Sequence, residues 1–244
     1  MRCFLNIGNT HTQILTVGPD GGRSLRTVPT EGFDPASLPD GAEIFAACVV
    51  AEKTDALSAR GARFATPEAA SALRFLDFSR VDASTLGQDR VANAVHLAAK
   101  GILPAVSIDF GTCITAEVVD AQKRFLGGAI FPGRTLTRQA LHDYTSKLPL
   151  VELADELPPC PGTNTLNAIR MGTDAAAIDA VLGFIARIRR MLKEPPSVYA
   201  CGGDRAFFLR APELQELSNG FPSVRGIRDG GEDFTLRGVE ILFS

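Results

Sequence analysis

The sequence predicts an α/β fold of two similar halves, residues 1–103 and 104–244, each a mixed sheet with flanking helices. Two observations predict it. Strand-like and helix-like stretches alternate along the chain, and two glycine turns look like copies of each other. Cys3-Phe4-Leu5-Asn6-Ile7-Gly8-Asn9-Thr10 is an apolar run that ends in a small polar turn. Val106-Ser107-Ile108-Asp109-Phe110-Gly111-Thr112-Cys113 repeats the shape: an apolar run, Asn or Asp, one apolar residue, Gly, then a small polar side chain. Glycine lets backbone amides approach a ligand with no Cβ in the way. Two such turns facing each other across a cleft form a two-sided phosphate clamp, which points to phosphoryl transfer.

The elements follow in order. Met1 to Asn6 reads as a short strand, with His11 to Val17 as its hairpin partner and Pro19-Asp20-Gly21-Gly22 as the turn to a further strand. Glu43 to Val50 reads as a buried strand and Pro67 to Leu73 as a short helix. From Gln88 to Lys100, Val91, Ala94, Val95 and Ala98 fall at helical spacing, and Pro104 breaks the pattern before strand Ala105 to Phe110. Ile114 to Val119 and Phe125 to Ile130 read as strands around a turn at Asp120 to Arg124. Pro132-Gly133 starts a helix through Leu141. Asn164 to Thr173 and Ala175 to Leu192 read as helices, and Ser197 to Ala200 as a strand that opens onto Gly202-Gly203-Asp204. Leu236 to Phe243 fits a helix or a final strand equally well.

Composition removes several function classes. At 244 residues, 45% hydrophobic and 22% charged, the chain can bury a core in each half. The net charge of −3 leaves no basic footprint for nucleic acid. Nothing is long and apolar enough for a bilayer, and no signal peptide is expected at the N-terminus. Cys3, Cys48, Cys113, Cys160 and Cys201 are odd in number and scattered, which fits neither a disulfide framework nor a zinc site, so reduced thiols in the cytoplasm are expected. His11, His96 and His142 lack ligand spacing. Neither a GxxxxGK(S/T) loop nor a GxGxxG fingerprint is present.

Gly87-Gln88-Asp89-Arg90 is the charged cluster with two readings. One is a helix start with an acid in the first turn, where the helix dipole favours it. The other pairs a general base, Asp89, with a guanidinium, Arg90, able to hold a substrate carboxylate or carbonyl. Asp109 has two readings as well: a solvated acid at a strand end, or a carboxylate in a crevice, which is costly unless it meets a cation.

Taken together, the motifs resemble those of the type III pantothenate kinases, members of the actin-like acetate and sugar kinase superfamily. Asn6-Ile7-Gly8-Asn9-Thr10 is similar to the family's Asp-x-Gly-Asn-Thr opening. Gly87-Gln88-Asp89-Arg90 with Ala92-Asn93-Ala94 resembles its Gly-x-Asp-Arg helix, and Asp109-Phe110-Gly111-Thr112 its second phosphate turn. Phe125 to Ile130 with Pro132-Gly133, Leu141 through Leu153, Gly162-Thr163-Asn164-Thr165 and Cys201-Gly202-Gly203-Asp204 continue the likeness in order. The resemblance implies two actin-like (ribonuclease H-like) subdomains with a nucleotide cleft between them. It implies ATP-dependent phosphorylation of pantothenate, the first step of coenzyme A biosynthesis, with Mg2+ and a monovalent cation (K+ or NH4+).

The implied roles are specific. Asn6, Ile7, Gly8, Asn9, Thr10, His11, Thr12 and Gln13 contact ATP, joined by Thr112. Asp89 is the catalytic base, and Gly87, Gln88, Asp89 and Arg90 bind pantothenate. Thr165 completes that pocket from across a homodimer interface, and Asp109 holds the monovalent cation. Four positions depart from the family pattern: Asn6 stands for Asp, Arg80 and Ala83 for the usual Tyr and Pro, and Cys201 for Thr. Asn6 keeps open a catalytically weak or silent paralogue with a nucleotide-binding or regulatory role. Arg80 and Ala83 keep open a kinase for a different small alcohol.

Overall fold

The computed structural model describes residues 1–218 and 225–244. Among these the chain forms two five-stranded sheets and two compact units. The first unit comprises Met1–Leu103, Val119–Gly127 and Asp233–Ser244, and the second Pro104–Val118 and Gly128–Glu232. No described helix is long and apolar enough to cross a membrane.

The first sheet contains β1 (Arg2–Ile7), β2 (His11–Val17), β3 (Arg23–Pro29), β4 (Glu43–Cys48) and β5 (Arg63–Phe64), in the order β3-β2-β1-β4-β5. β1 pairs antiparallel with β2 and parallel with β4; β2–β3 is antiparallel and β4–β5 parallel. The order follows from the side chains. β1 carries Cys3, Phe4, Leu5 and Ile7, all buried, so it takes the centre of the sheet. β3 is almost wholly exposed and carries Arg23 and Arg26, which suits the edge of the sheet.

The second sheet contains β6 (Ala105–Phe110), β7 (Cys113–Val119), β8 (Phe125–Pro132), β9 (Ser197–Cys201) and β10 (Ile227–Gly231), in the order β10-β9-β6-β7-β8. Counted from the first strand of each sheet, both orders are 3-2-1-4-5. The likeness of the two glycine turns thus extends to the topology that carries them. Each turn joins the central strand to the next, β1 to β2 and β6 to β7.

The helices are α1 (Ala51–Ala59), α2 (Pro67–Ala72), α3 (Gln88–Lys100), α4 (Arg134–Asp143), α5 (Thr165–Arg170), α6 (Ala176–Met191), α7 (Arg205–Leu209), α8 (Pro212–Ser218) and α9 (Phe234–Phe243). Their ends have local causes. Thr66 caps α2 by accepting from the Ala69 amide, ahead of Pro67 in the first turn. Gly101 ends α3 in the left-handed region at φ 71°. The stretch expected as one helix from Asn164 to Thr173 is instead α5 followed by a π-helical turn, Met171–Ala175, whose Thr173 and Asp174 are buried. The ambiguous C-terminal segment is a helix, with Leu236, Val239 and Leu242 spaced by three and all buried.

α9 packs against α3 in the first unit. Thr235 Oγ1 donates to Asn93 Oδ1 at 2.8 Å, and both residues are buried. His96 packs against Phe234 in a tilted ring pair, and its Nδ1 lies 2.9 Å from the Phe234 carbonyl oxygen, which can only accept, so the proton sits on Nδ1. Burial pulls the His96 pKa from 6.5 to about 4; nearby Lys100 and Arg237 add to this, and the Phe234 hydrogen bond opposes it. The depressed value sets the sign of a pH effect. Above pH 6.5 the ring is neutral in both the folded and unfolded chain, and its contribution to stability is complete. As pH falls from 6.5 towards 4 the unfolded chain takes the proton first, and about 3 kcal/mol is lost. Urea unfolding at neutral and mildly acidic pH checks this: a His96→Gln chain should lose less stability across that window than the parent.

Candidate active site

In the first unit the Gly8 turn is built at the carboxyl end of β1. The Gly8 amide donates to the His11 carbonyl at 3.0 Å. Thr30, which no motif singles out, staples the turn. Its hydroxyl donates to Gly8 O at 2.8 Å and its amide to Thr10 O at 2.9 Å, and it lies 2.9 Å from the buried Thr12 hydroxyl. Asn9, Thr10 and His11 are exposed, whereas Ile7 and Thr12 are buried. Asn6 faces Gln13 across the hairpin and donates from Nδ2 to Gln13 Oε1 at 3.2 Å.

α3 begins beside this turn. The Val49 amide donates to Ile7 O at 3.0 Å, and the Cys48 amide donates to Gln88 Oε1 at 2.9 Å. Gln88 therefore ties the helix start to the carboxyl ends of β1 and β4, the end of an α/β sheet where ligands gather. Asp89 is half-buried, and its carboxylate folds back to accept from the Arg90 amide at 2.8 Å. A Cβ on Gly87 would lie 2.6 Å from that carboxylate oxygen, so glycine is what allows the Asp89 conformation. Burial pushes the Asp89 pKa above the usual carboxylate range, with the Arg90 amide and charge pulling the other way. The Arg90 guanidinium lies 6.0 Å from the Phe125 ring centre. Arg80 is exposed, and Ala83 opens a single 3-10 turn capped by Asp82.

In the second unit three separate segments converge. Gly111 and Thr112 are exposed, and the Gly111 amide donates to Cys113 O at 3.1 Å. Gly133, at the start of α4, donates its amide to Thr112 O at 2.9 Å. The Asp204 amide donates to Phe110 O at 2.9 Å, which brings the Gly202-Gly203 turn against Asp109. Gly202 adopts φ +86°, and a Cβ there would overlap Asp109 Oδ1 and sit 2.6 Å from Phe110 O. Cys201 is fully buried; its thiol donates to Ile108 O at 3.4 Å, and burial raises its pKa well above the ordinary value.

Gly8 and Gly111 differ from Gly133 and Gly202. A Cβ on either would come no closer than 3.4 Å to the chain, and neither adopts positive φ. The fold itself does not demand glycine at these two places. Thr165 is exposed in the first turn of α5, where Asn164 caps the helix by accepting from the Asn167 amide at 2.9 Å. Among the described residues no cluster of three or more His, Cys, Asp or Glu is placed to hold a metal ion.

This ordered set of motifs has a counterpart among known proteins. The sequence model of the type III pantothenate kinases matches residues 4–187. The chain belongs to the type III pantothenate kinase family. A family relative from Anaeromyxobacter sp. (strain K) is 38% identical over 157 residues, 64% of this chain and 57% of that protein. Another from Caulobacter vibrioides is 35% identical over 147 residues, 59% of this chain and 56% of its own length. The chain thus spans less than two thirds of the curated relatives it matches. Among solved structures, a Campylobacter jejuni protein assigned to the Baf family of transcriptional activators has a TM-score of 0.63 at 19% identity, covering 98% of this chain and 96% of its own. A Sinorhizobium meliloti protein assigned as a 2-dehydro-3-deoxygalactonokinase has a TM-score of 0.55 at 12% identity, covering 99% and 95%. Likeness at such identity speaks for the fold alone, and the fold is the actin-like α/β fold.

Proposed function

We propose that this chain transfers the γ-phosphoryl group of ATP to the primary hydroxyl of pantothenate, the opening step of coenzyme A biosynthesis. The observation that carries the reading is Asp89. It is a half-buried carboxylate of raised pKa, held at a helix start beside the Gly8 turn, in a chain of this family. Asp89 accepts the hydroxyl proton as the pantothenate oxygen bonds to the γ-phosphorus. The bond from that phosphorus to the bridging oxygen breaks, and ADP leaves. Gly87, Gln88 and Arg90 hold pantothenate, with Arg90 suited to its carboxylate.

The Gly8 turn, from Asn6 to Gln13, and Thr112 take the nucleotide. Ile7 and Thr12 contribute through backbone, because their side chains are buried. Glycine at 8 and 111, which the fold does not require, leaves room for phosphate oxygens. Mg2+ arriving with ATP supplies charge neutralisation on the phosphates, and the Asn6 amide oxygen suits it or its water shell. Asp109 holds the monovalent cation. Its half-buried carboxylate lies close against the Gly202 backbone, where any Cβ would overlap it.

A homodimer brings Thr165 to the pantothenate pocket of the partner. Exposed apolar side chains gather in 130–166, among them Ile130, Tyr144, Leu150 and Leu166, as a subunit interface requires. Five free cysteines fit a cytoplasmic setting. Turnover measured across a potassium titration tests the Asp109 assignment. Asp109→Asn should be slow at low potassium and recover in part as potassium rises, since a weakened site still fills by mass action. A deficit that potassium leaves unchanged would remove Asp109 from the cation site.

A further inference from the structure

We propose that Arg134 is a positioning residue. Its guanidinium, paired with Asp204, fixes the Gly202-Gly203-Asp204 turn against Asp109–Thr112 and so sets the shape in which that turn receives phosphate. The proposal rests on reading Asp109–Thr112 as a nucleotide-phosphate turn.

The Arg134 side chain is 2% exposed. Nε donates to Asp204 Oδ2 at 2.8 Å and Nη2 to Asp204 Oδ1 at 2.7 Å, a two-pronged pair. Nη1 donates to Ala154 O at 3.0 Å and lies 3.5 Å from Asp174 Oδ1, while the guanidinium stacks 3.5 Å over Phe207. One turn further along α4, Arg138 holds both Asp174 oxygens at 2.7 Å, and its Nε reaches Thr173 Oγ1 at 3.2 Å. α4 is thereby fastened on one face to both the π-helical turn and the Gly202–Asp204 turn. A buried arginine is costly unless its donors are met. Each Arg134 nitrogen finds an acceptor, and the two that meet Asp204 act on the turn whose Asp204 amide bonds to Phe110 O; Arg138 Nη1, by contrast, has no hydrogen-bond partner among the described residues.

These contacts close a circuit. Phe110, Gly111 and Thr112 are consecutive; Thr112 O accepts from Gly133, Gly133 is bonded to Arg134, Arg134 holds Asp204, and the Asp204 amide returns to Phe110 O. Gly133 has no slack, because a Cβ there would overlap Gly111 O and lie 2.7 Å from Thr112 O. Two of the three non-covalent links are backbone to backbone. The third, Arg134 with Asp204, is the link that side-chain identity controls. Lysine cannot replace it, because one ammonium cannot span both carboxylate oxygens and still reach Ala154 O.

The test combines amide hydrogen exchange with calorimetric binding of ATP and Mg2+. In Arg134→Lys the Gly111, Gly133 and Asp204 amides should exchange faster, and the Gly8 and Val49 amides should not change. ATP affinity should fall about 10- to 100-fold, the scale of a small misplacement of binding groups. In the double variant Arg134→Met, Asp204→Asn no lone buried charge remains, so thermal stability should return towards the parent while ATP affinity stays low. Parental exchange and affinity in Arg134→Lys, or a double variant that regains ATP affinity along with stability, would overturn the role of Arg134. A parent chain that binds no ATP would overturn the phosphate reading beneath it, and the exchange result then shows separately whether Arg134 holds the turn.

Discussion

Asp89→Asn is expected to cost ~100- to 10,000-fold in turnover without loss of stability, because a general base is removed while its local contacts survive. The asparagine oxygen still accepts from the Arg90 amide, which now meets Asp89 Oδ1 at 2.8 Å. The Asp89 pKa is raised by burial, so the folded chain holds the proton more tightly than the unfolded chain, and ionisation at neutral pH opposes folding. Asparagine removes that opposition, so its denaturation midpoint at neutral pH should equal or exceed the parent's. The raised pKa also places the acid limb of the parent's kcat/KM profile above the ordinary carboxylate range. Thermal melts and pH profiles on the same preparations check both halves. A variant that melts early and turns over normally would mark Asp89 as a helix-start residue only.

Gly238→Ala is expected to be the most damaging single change outside the site. A Cβ at Gly238 would overlap the Ala92 carbonyl oxygen and lie 2.5 Å from the Ala92 carbonyl carbon, so α9 and α3 touch backbone to backbone. Backbone cannot swing aside as a flexible side chain can. Overpacking of this kind costs about 3 kcal/mol, well beyond the gain of roughly 1 kcal/mol from replacing a helical glycine by alanine. Because α3 carries Asp89, the strain should also lower turnover in whatever fraction stays folded. Urea unfolding and specific activity of the folded fraction measure the two effects. A Gly238→Ala chain as stable as the parent would show that the helices separate at little cost. α9 lies outside the residues 4–187 matched by the family, yet it holds the helix that bears the proposed base.

What could be read in advance was what is local in sequence. The paired turns at Asn6–Gly8 and Asp109–Gly111 were visible because each puts its strand, polar residue and glycine within a few positions. α3 was visible to the residue, since eight consecutive residues from Val91 to Ala98 are buried on a helix with clear start and stop signals. α1 was not anticipated: Leu57 is its one buried residue, and no apolar stripe marks it. β3 escaped delineation for a related reason, because its side chains are exposed and no alternation marks its bounds. The Thr30 staple and the Arg134–Asp204 pair could not be found by pattern. Their partners lie 22 and 70 residues away, and neither motif names a partner. The π-helical turn at Met171–Ala175 looks helical in sequence, and what sets it apart is the burial of Asp174 against two arginines.

Transfer of phosphate to pantothenate by a chain with an uncharged Asn6 ahead of the Gly8 turn can be measured directly. The direct measurement gives the purified protein ATP labelled in its γ-phosphate, with pantothenate, Mg2+ and K+, and follows the label by mass spectrometry. If the chain phosphorylates pantothenate, labelled phosphopantothenate forms one for one with ADP, and the reaction is faster when the chain carries Asn6→Asp. Absence of labelled phosphopantothenate from both the parent and the Asn6→Asp chain, with nucleotide bound in each, would contradict that activity.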